Sequence, residues 1–470
     1  MSTIQIEQQR KNTHRLDLFK EFFRWKPTSL LIRGEPGAGK STLALELLDY
    51  VKDSYKGYYI STRVSHKRLL EQFPWCKDLI KEEEVLSMFG NNGNGSAPLI
   101  DARLGTISTV TEHVMNAIME KNAFIILDSW DALAKEADMN DRLKAEKTMV
   151  ALADANDSFL VFISEEPHLS TVAYLVDGVI TLEHYNNLRS MRLDKMRGMS
   201  INDKRIFYTL ENSHFTPISK LSSILYKIDN KSIFEPIIYN NKLSSGNKDL
   251  DKVISVYKSN AILIETALNR DRRMLGVIML NFILNNLRTG GSAIIINTPD
   301  KPYSSLLNQI KPYCKEEDLE RLLILSVEEN LPALNYLESI SYSDLKGSCN
   351  KLVCNRYPEL KKKTKDKPTI LTLDLGMCET QLTSDALDIV KSNIVKLTKI
   401  FRDNGDYIIF VDTTGYKSML FLLNIVDLHL RLYTEEGVSF LQAIKPYNGT
   451  YGVELDVSKG YPSYKLRRMV

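Results

Sequence analysis

The sequence predicts an α/β protein of two domains, each built on a mainly parallel central sheet. Three observations carry this. Short apolar, β-branched runs alternate with helical patterns along nearly the whole 470-residue chain, the signature of parallel strands joined by right-handed crossovers. The order of runs in the first half returns in the second. A glycine-rich loop sits between the first such run and the helix that follows it.

In the first half the strand candidates are residues 29–33, 57–61, 123–128, 159–164 and 178–182. Runs such as Phe124-Ile125-Ile126-Leu127 are apolar at every position, as strands buried on both faces must be. In the second half the candidates are 260–264, 292–297, 322–326, 369–374 and 407–412, with a long apolar helix over 274–287. Between the halves, over 213–247, Asn, Ser, Lys and Pro accumulate and apolar periodicity fades. The expected domains are therefore 1–218 and 243–470, with 219–242 as linker.

Composition narrows the function. Hydrophobic residues make up 43% of the chain and charged residues 26%, and 61 basic against 59 acidic side chains leave a formal charge of +2. Those values exclude global disorder and argue against a protein built mainly to bind polyanions. The most apolar stretch, 274–284, is short and broken by Gly276 and Asn281, so no membrane span is expected. Residues 1–12 are polar and lack the apolar core of a secretory signal. Cys76, Cys314, Cys349, Cys354 and Cys378 follow no redox or zinc spacing. A cytoplasmic protein with idle thiols is expected. The lysine-rich stretch 361–367 and the tail residues Lys465, Arg467 and Arg468 read as solvated charge rather than a nucleic-acid site.

The strongest motif is Gly34-Glu35-Pro36-Gly37-Ala38-Gly39-Lys40-Ser41-Thr42, a G-x-x-x-x-G-K-[ST] loop entered by a strand and left by a helix. Glycines let the backbone curl around an anion, and successive N–H groups then point at the phosphates. The helix that follows offers the positive end of its dipole. Lys40 would reach the β- and γ-oxygens and Ser41 would ligate Mg²⁺. The apolar strand ending in Asp128 would supply the second Mg²⁺ ligand at the carboxyl edge of the sheet. ATP with Mg²⁺ is thus the expected ligand, with Lys40 and Asp128 among the catalytic candidates.

Together with a later stretch these residues resemble the RecA-like ATPases, and within them the KaiC group. That stretch contains Tyr174-Leu175-Val176-Asp177-Gly178-Val179-Ile180 and Lys195-Met196-Arg197-Gly198, similar to a Y-L-x-D-G-V-I turn followed by K-x-R-G. Gly34-Glu35-Pro36-Gly37 and Ile60-Ser61-Thr62-Arg63-Val64 look most like the archaeal gas-vesicle regulatory proteins of type D. The KaiC-level resemblance covers about residues 15–218. It implies two tandem P-loop NTPase domains, the second degenerate. It also implies that Lys195 and Arg197 act on the γ-phosphate of a neighbouring subunit, hence a homo-oligomer, ring or dimer.

The second half resembles a decayed copy. Leu243-Ser244-Ser245-Gly246 with Asp251 looks like a domain entry. Aligning the strands sets Thr266 against Gly34, Asp271 against Gly39, Arg272 against Lys40 and Arg273 against Ser41. Asp374, Asp427 and Lys445 echo Asp128, Asp177 and Lys195. No phosphate loop survives there.

One departure bears on catalysis. Where KaiC relatives carry a water-positioning glutamate pair after the second strand, this chain has Arg63 and Val64. Arginine cannot accept a proton at neutral pH. Glu35, Asp131 and the pair Glu165-Glu166 are the available substitutes. The expectation is a nucleotide-dependent regulatory or assembly protein with slow or partner-dependent ATP hydrolysis. Its state would be read by a protein partner such as a transcription regulator. The alternatives are a DNA-associated recombination or repair ATPase and, behind it, a small-molecule phosphotransferase.

Overall fold

The computed structural model describes residues 16–82, 97–135, 137–166, 170–221, 228, 231–239, 244–254, 260–267, 272–297, 302–328, 331–340, 351–365 and 367–470. The chain divides into two compact units, residues 1–218 with 469–470, and 219–468.

The first unit holds a ten-stranded sheet. Its strands are β1 (Ser29–Gly34), β2 (Lys56–Ser61), β3 (Ile80–Glu82), β4 (Ala97–Asp101), β5 (Ala123–Asp128), β6 (Phe159–Ser164), β7 (Gly178–Tyr185), β8 (Leu188–Met196), β9 (Arg205–Thr209) and β10 (Thr216–Pro217). They lie in the order β10-β9-β8-β7-β1-β6-β5-β2-β4-β3. From β7 to β3 neighbours run parallel, and β8, β9 and β10 extend the sheet antiparallel. The parallel strands are apolar because helices cover both faces: β5 and β6 contribute Phe124, Ile126, Phe159 and Val161 to one core, and Ile125, Leu127, Leu160 and Phe162 to the other. Phe124 and Phe159 stack across the pair at 5.1 Å.

The second unit repeats this plan with β11 (Ala261–Thr266), β12 (Ser292–Ile296), β13 (Leu322–Ser326), β14 (Leu337–Ser339), β15 (Thr369–Asp374), β16 (Tyr407–Thr413), β17 (Leu428–Glu435), β18 (Val438–Lys445), β19 (Gly449–Asp456) and β20 (Ser463–Arg468). Their order is β14-β13-β12-β15-β16-β11-β17-β18-β19-β20. The registers coincide. Leu30 pairs with Gly178 and Gly34 with Leu182; Ile262 pairs with Leu428 and Thr266 with Leu432. Thr266 therefore stands where Gly34 stands, and a register shift follows both Val179 and His429. Asp271 lies outside the described residues.

The same turn straps both units. Asp177 accepts the Thr28 N–H at 2.9 Å, and Asp427 accepts those of Asn260 and Ala261 at 3.0 and 3.1 Å. The entry to the second unit is fixed by Asp251, whose carboxylate accepts the hydroxyls of Ser244 and Ser245, both at 2.7 Å. The apolar helix Arg273–Arg288 buries three asparagines. Each finds backbone partners, as when Asn281 donates to the Val277 and Pro462 carbonyls.

Two sequence expectations need correction. Residues expected to link the domains place Leu221 and Phe234 in the second unit's core. The lysine-rich stretch is not a solvated loop over its length: Tyr357–Thr364 is a helix, and Lys361 pairs at 3.0 Å with the fully buried Asp406. The tail basic residues lie on β20 and stay at the surface, Lys465 and Arg467 pairing there with Asp456 and Glu454. Among the described cysteines Cys76 and Cys378 are buried and none is bonded; Cys349 lies outside the described residues. No helix of the described residues is long and apolar enough to cross a membrane.

Candidate functional site

The loop from Gly34 to Thr42 joins β1 to the helix Lys40–Val51. Its shape depends on its glycines. A Cβ on Gly34 would lie 2.2 Å from the Leu182 carbonyl oxygen of β7, and one on Gly39 would lie 2.8 Å from the Leu210 side chain. Gly37 and Gly39 adopt φ of +76° and +89°, the left-handed region that glycine enters without strain. The first N–H groups of a helix have no partner within it, and a helix start of this kind is an arrangement that receives an anion. Gly34→Ala would force backbone against backbone. The expected result is about 1–3 kcal/mol of lost stability with nucleotide binding abolished, read by thermal melting and calorimetric titration.

The Lys40 ammonium is folded back onto the loop, donating to the carbonyls of Gly34 at 2.9 Å and Glu35 at 2.8 Å. Burial lowers its pKa, against the raising charges of Glu165, Asp128 and Asp131. The Ser41 hydroxyl donates to Asp128 Oδ2 at 2.6 Å, and the Tyr59 hydroxyl donates to the same oxygen. Burial raises the Asp128 pKa, while the bonds from Ser41 and Tyr59 and the Lys40 charge hold it down. A hydroxyl and a carboxylate oxygen in contact beside a phosphate cradle are the hard oxygen donors Mg²⁺ takes, the remaining positions going to phosphate and water. The residues present therefore fit a magnesium nucleotide.

Sequence spacing alone does not reveal the residues that brace this loop. Tyr59 comes from β2. Tyr208 of β9 donates its hydroxyl to the Ala38 carbonyl at 2.5 Å, and Arg189 of β8 donates to the Gly37 carbonyl at 2.8 Å. Both bonds occupy loop carbonyls from outside the loop's own sequence. Thr62 Oγ1 bonds the Ser129 N–H and carbonyl at 2.9 and 3.0 Å, fixing the chain after Asp128. Glu35, Pro36 and Gly37 are exposed, and Thr42 is buried.

Lys195 and Arg197 are not brought to this loop. Lys195 donates to the Ala173 and Tyr174 carbonyls at 3.1 Å, where it caps the end of the helix Ser170–Leu175. Arg197, 60% exposed, pairs with Asp177 at 2.9 Å. Asp177 bonds the start of β1, whereas the loop leaves its end, about 16 Å away at ~3.3 Å per residue. Within one chain these two cations hold the Asp177 turn.

Residues 19–198 match the family described as GvpD gas vesicle protein, P-loop domain. Protein GvpD2 of Halobacterium salinarum is 25% identical over 291 residues, covering 57% of this chain and 59% of the relative. Protein GvpD1 of the same organism is 26% identical over 244 residues, covering 48% and 45%. The chain thus spans about half the length of the curated relatives it matches. The loop and its strands fall inside the matched residues, and the first unit of this chain holds a P-loop domain similar to that of the GvpD proteins.

Proposed function

We propose that this chain is a nucleotide-controlled regulatory or assembly protein that takes ATP with Mg²⁺ at the loop. Lys40 would contact the β- and γ-phosphates, the N–H groups of residues 34–42 would cradle them, and Ser41 and Asp128 would hold the metal. Mg²⁺ would supply charge neutralisation on the phosphates. The observation that carries the reading is at the end of β2. There Arg63, not a carboxylate, follows the strand, and it is engaged by Glu165 at 2.5 Å. A loop fit to bind, with the nearby Glu165 carboxylate tied to an arginine, suits a switch better than a motor. Hydrolysis is then slow or depends on a partner. Lys195 and Arg197 serve a neighbour's phosphate only if copies assemble, so a homo-oligomer belongs to this reading. A transcription regulator is the kind of partner that would read the state.

ATP binding, steady-state turnover with and without single-stranded DNA, and solution mass with and without ATP test the proposal. The expected result is saturable binding and turnover on the order of 10⁻³ s⁻¹ or below, the range of intrinsically slow phosphate-loop switches. Mass should rise with ATP. Strong stimulation by DNA would favour the recombination-type ATPase instead, and a monomer under all conditions would remove the role of Lys195 and Arg197 across subunits.

A further inference from the structure

The carboxyl ends of β2, β5 and β6 bring a second set of charges to the rim of the loop. Arg63, two residues past β2, places Nη1 2.5 Å from Glu165 Oε2 and Nη2 3.7 Å from Asp131 Oδ2. The Glu165 N–H donates to Asp131 Oδ1 at 3.2 Å, which fixes the two acidic residues relative to each other. Asp131 is 1% exposed, yet its Oδ2 accepts no hydrogen bond among the described residues, and the buried Ser129 Oγ has none either. Unpaired polar atoms this deeply buried are costly unless something else satisfies them.

The cation itself is held differently. Arg63 is 40% exposed and its partner Glu165 28%, so solvent screens the pair and it is easily exchanged. These groups also share the loop's surroundings. Ser61 pairs directly with Asp128 across β2 and β5, and the Lys40 ammonium feels Glu165, Asp128, Asp131 and Arg63 together. A guanidinium prefers a phosphate group, which offers two oxygens and more charge, over one screened carboxylate.

We propose that Arg63 is the residue that distinguishes a nucleoside triphosphate from a diphosphate: a terminal phosphate in the loop draws its guanidinium away from Glu165, and a diphosphate leaves the pair intact. This rests on the reading that the loop binds nucleotide. The exchange uncovers the Glu165 carboxylate at the rim only in the triphosphate state, which gives a partner a charge difference to read. Glu165 competes with the ligand for the same cation and so weakens triphosphate binding.

The test is titration calorimetry of the full chain with Mg²⁺ and either ADP or a non-hydrolysable ATP analogue, for wild type, Arg63→Ala, Glu165→Gln and Lys40→Ala. Arg63→Ala should weaken the analogue about 10–100-fold, the loss of one or two charge-assisted bonds, and leave ADP within about twofold. Glu165→Gln should tighten the analogue several-fold and leave ADP unchanged. Equal effects of Arg63→Ala on both nucleotides, or no effect on either, would overturn the proposal while leaving the loop reading intact. A wild type that binds neither nucleotide would overturn the proposed function, and this proposal with it.

Discussion

Lys40→Ala should raise the Kd for magnesium ATP by at least about 100-fold and leave the fold nearly untouched. An ammonium that bridges two phosphates makes charge-assisted bonds worth about 1.5–3 kcal/mol each, so two of them correspond to about 10²–10⁴ in affinity. Without nucleotide the same ammonium contributes little to stability. Burial lowers its pKa, so its charged form is already penalised, and its partners are two loop carbonyls that water can reach once the side chain is gone. Binding should also be lost completely rather than by half. In the second unit Arg272, aligned with Lys40, donates Nη1 to Asp374 at 2.9 Å and Nη2 to the Thr413 hydroxyl at 2.8 Å. The strand-end carboxylate that a metal would need is thus taken by the chain's own cation. Calorimetry of wild type and variant, with thermal melts alongside, checks both halves. A variant that keeps wild-type affinity, or half the wild-type stoichiometry, would refute the assignment of a single nucleotide site at Lys40.

The parts of this molecule that could be read from sequence are those whose constraint is local. β5, β6, β13 and β15 have the expected limits because each is a short, mostly apolar run buried along nearly its whole length. The phosphate loop is legible because its glycines are demanded by backbone geometry within nine residues. The antiparallel strands are not. β8 interleaves the partly or fully exposed Arg189, Arg192, Asp194 and Lys195 with its buried positions, so its composition reads as a charged surface segment. β3 and β14 span three residues each, too few to show a period. The site divides the same way. Tyr59 and Tyr208 lie far along the chain from the oxygens they touch, and their roles follow from strand order, not spacing. The resemblance alone implies that Arg63 stands where relatives carry a base; only the fold shows that Glu165 and Asp131 lie against it.

Glu265→Ala should be the most destabilising single change at the corresponding edge of the second unit. Glu265 on β11 pairs with Arg431 as Arg33 on β1 pairs with Thr181, so it occupies the strand position that leads into the phosphate loop in the first unit. Its side chain is 3% exposed and accepts from His429 Nε2 at 2.7 Å, Thr414 Oγ1 at 2.7 Å and Arg431 Nε at 3.0 Å. Removing one member of a buried charged network leaves the others without their acceptor, a loss of about 3–5 kcal/mol. Acid should produce the same loss in wild type. Burial alone would push the Glu265 pKa up, but the bonds from His429, Thr414 and Arg431 bring it down from 4.5 to about 2. A carboxylate depressed in the folded state stabilises the fold above its unfolded pKa. That stabilisation, about 3 kcal/mol for this shift, disappears as pH falls from about 4.5 towards about 2. Urea melts between pH 7 and pH 3 should show a falling midpoint for wild type over that window, and for Glu265→Ala a midpoint already low at pH 7 with a shallower acid limb. Equal midpoints at pH 7 would refute the network's role. The strand end that in the first unit leads into a cradle for a mobile anion is, in the second, closed by an anion of the protein's own.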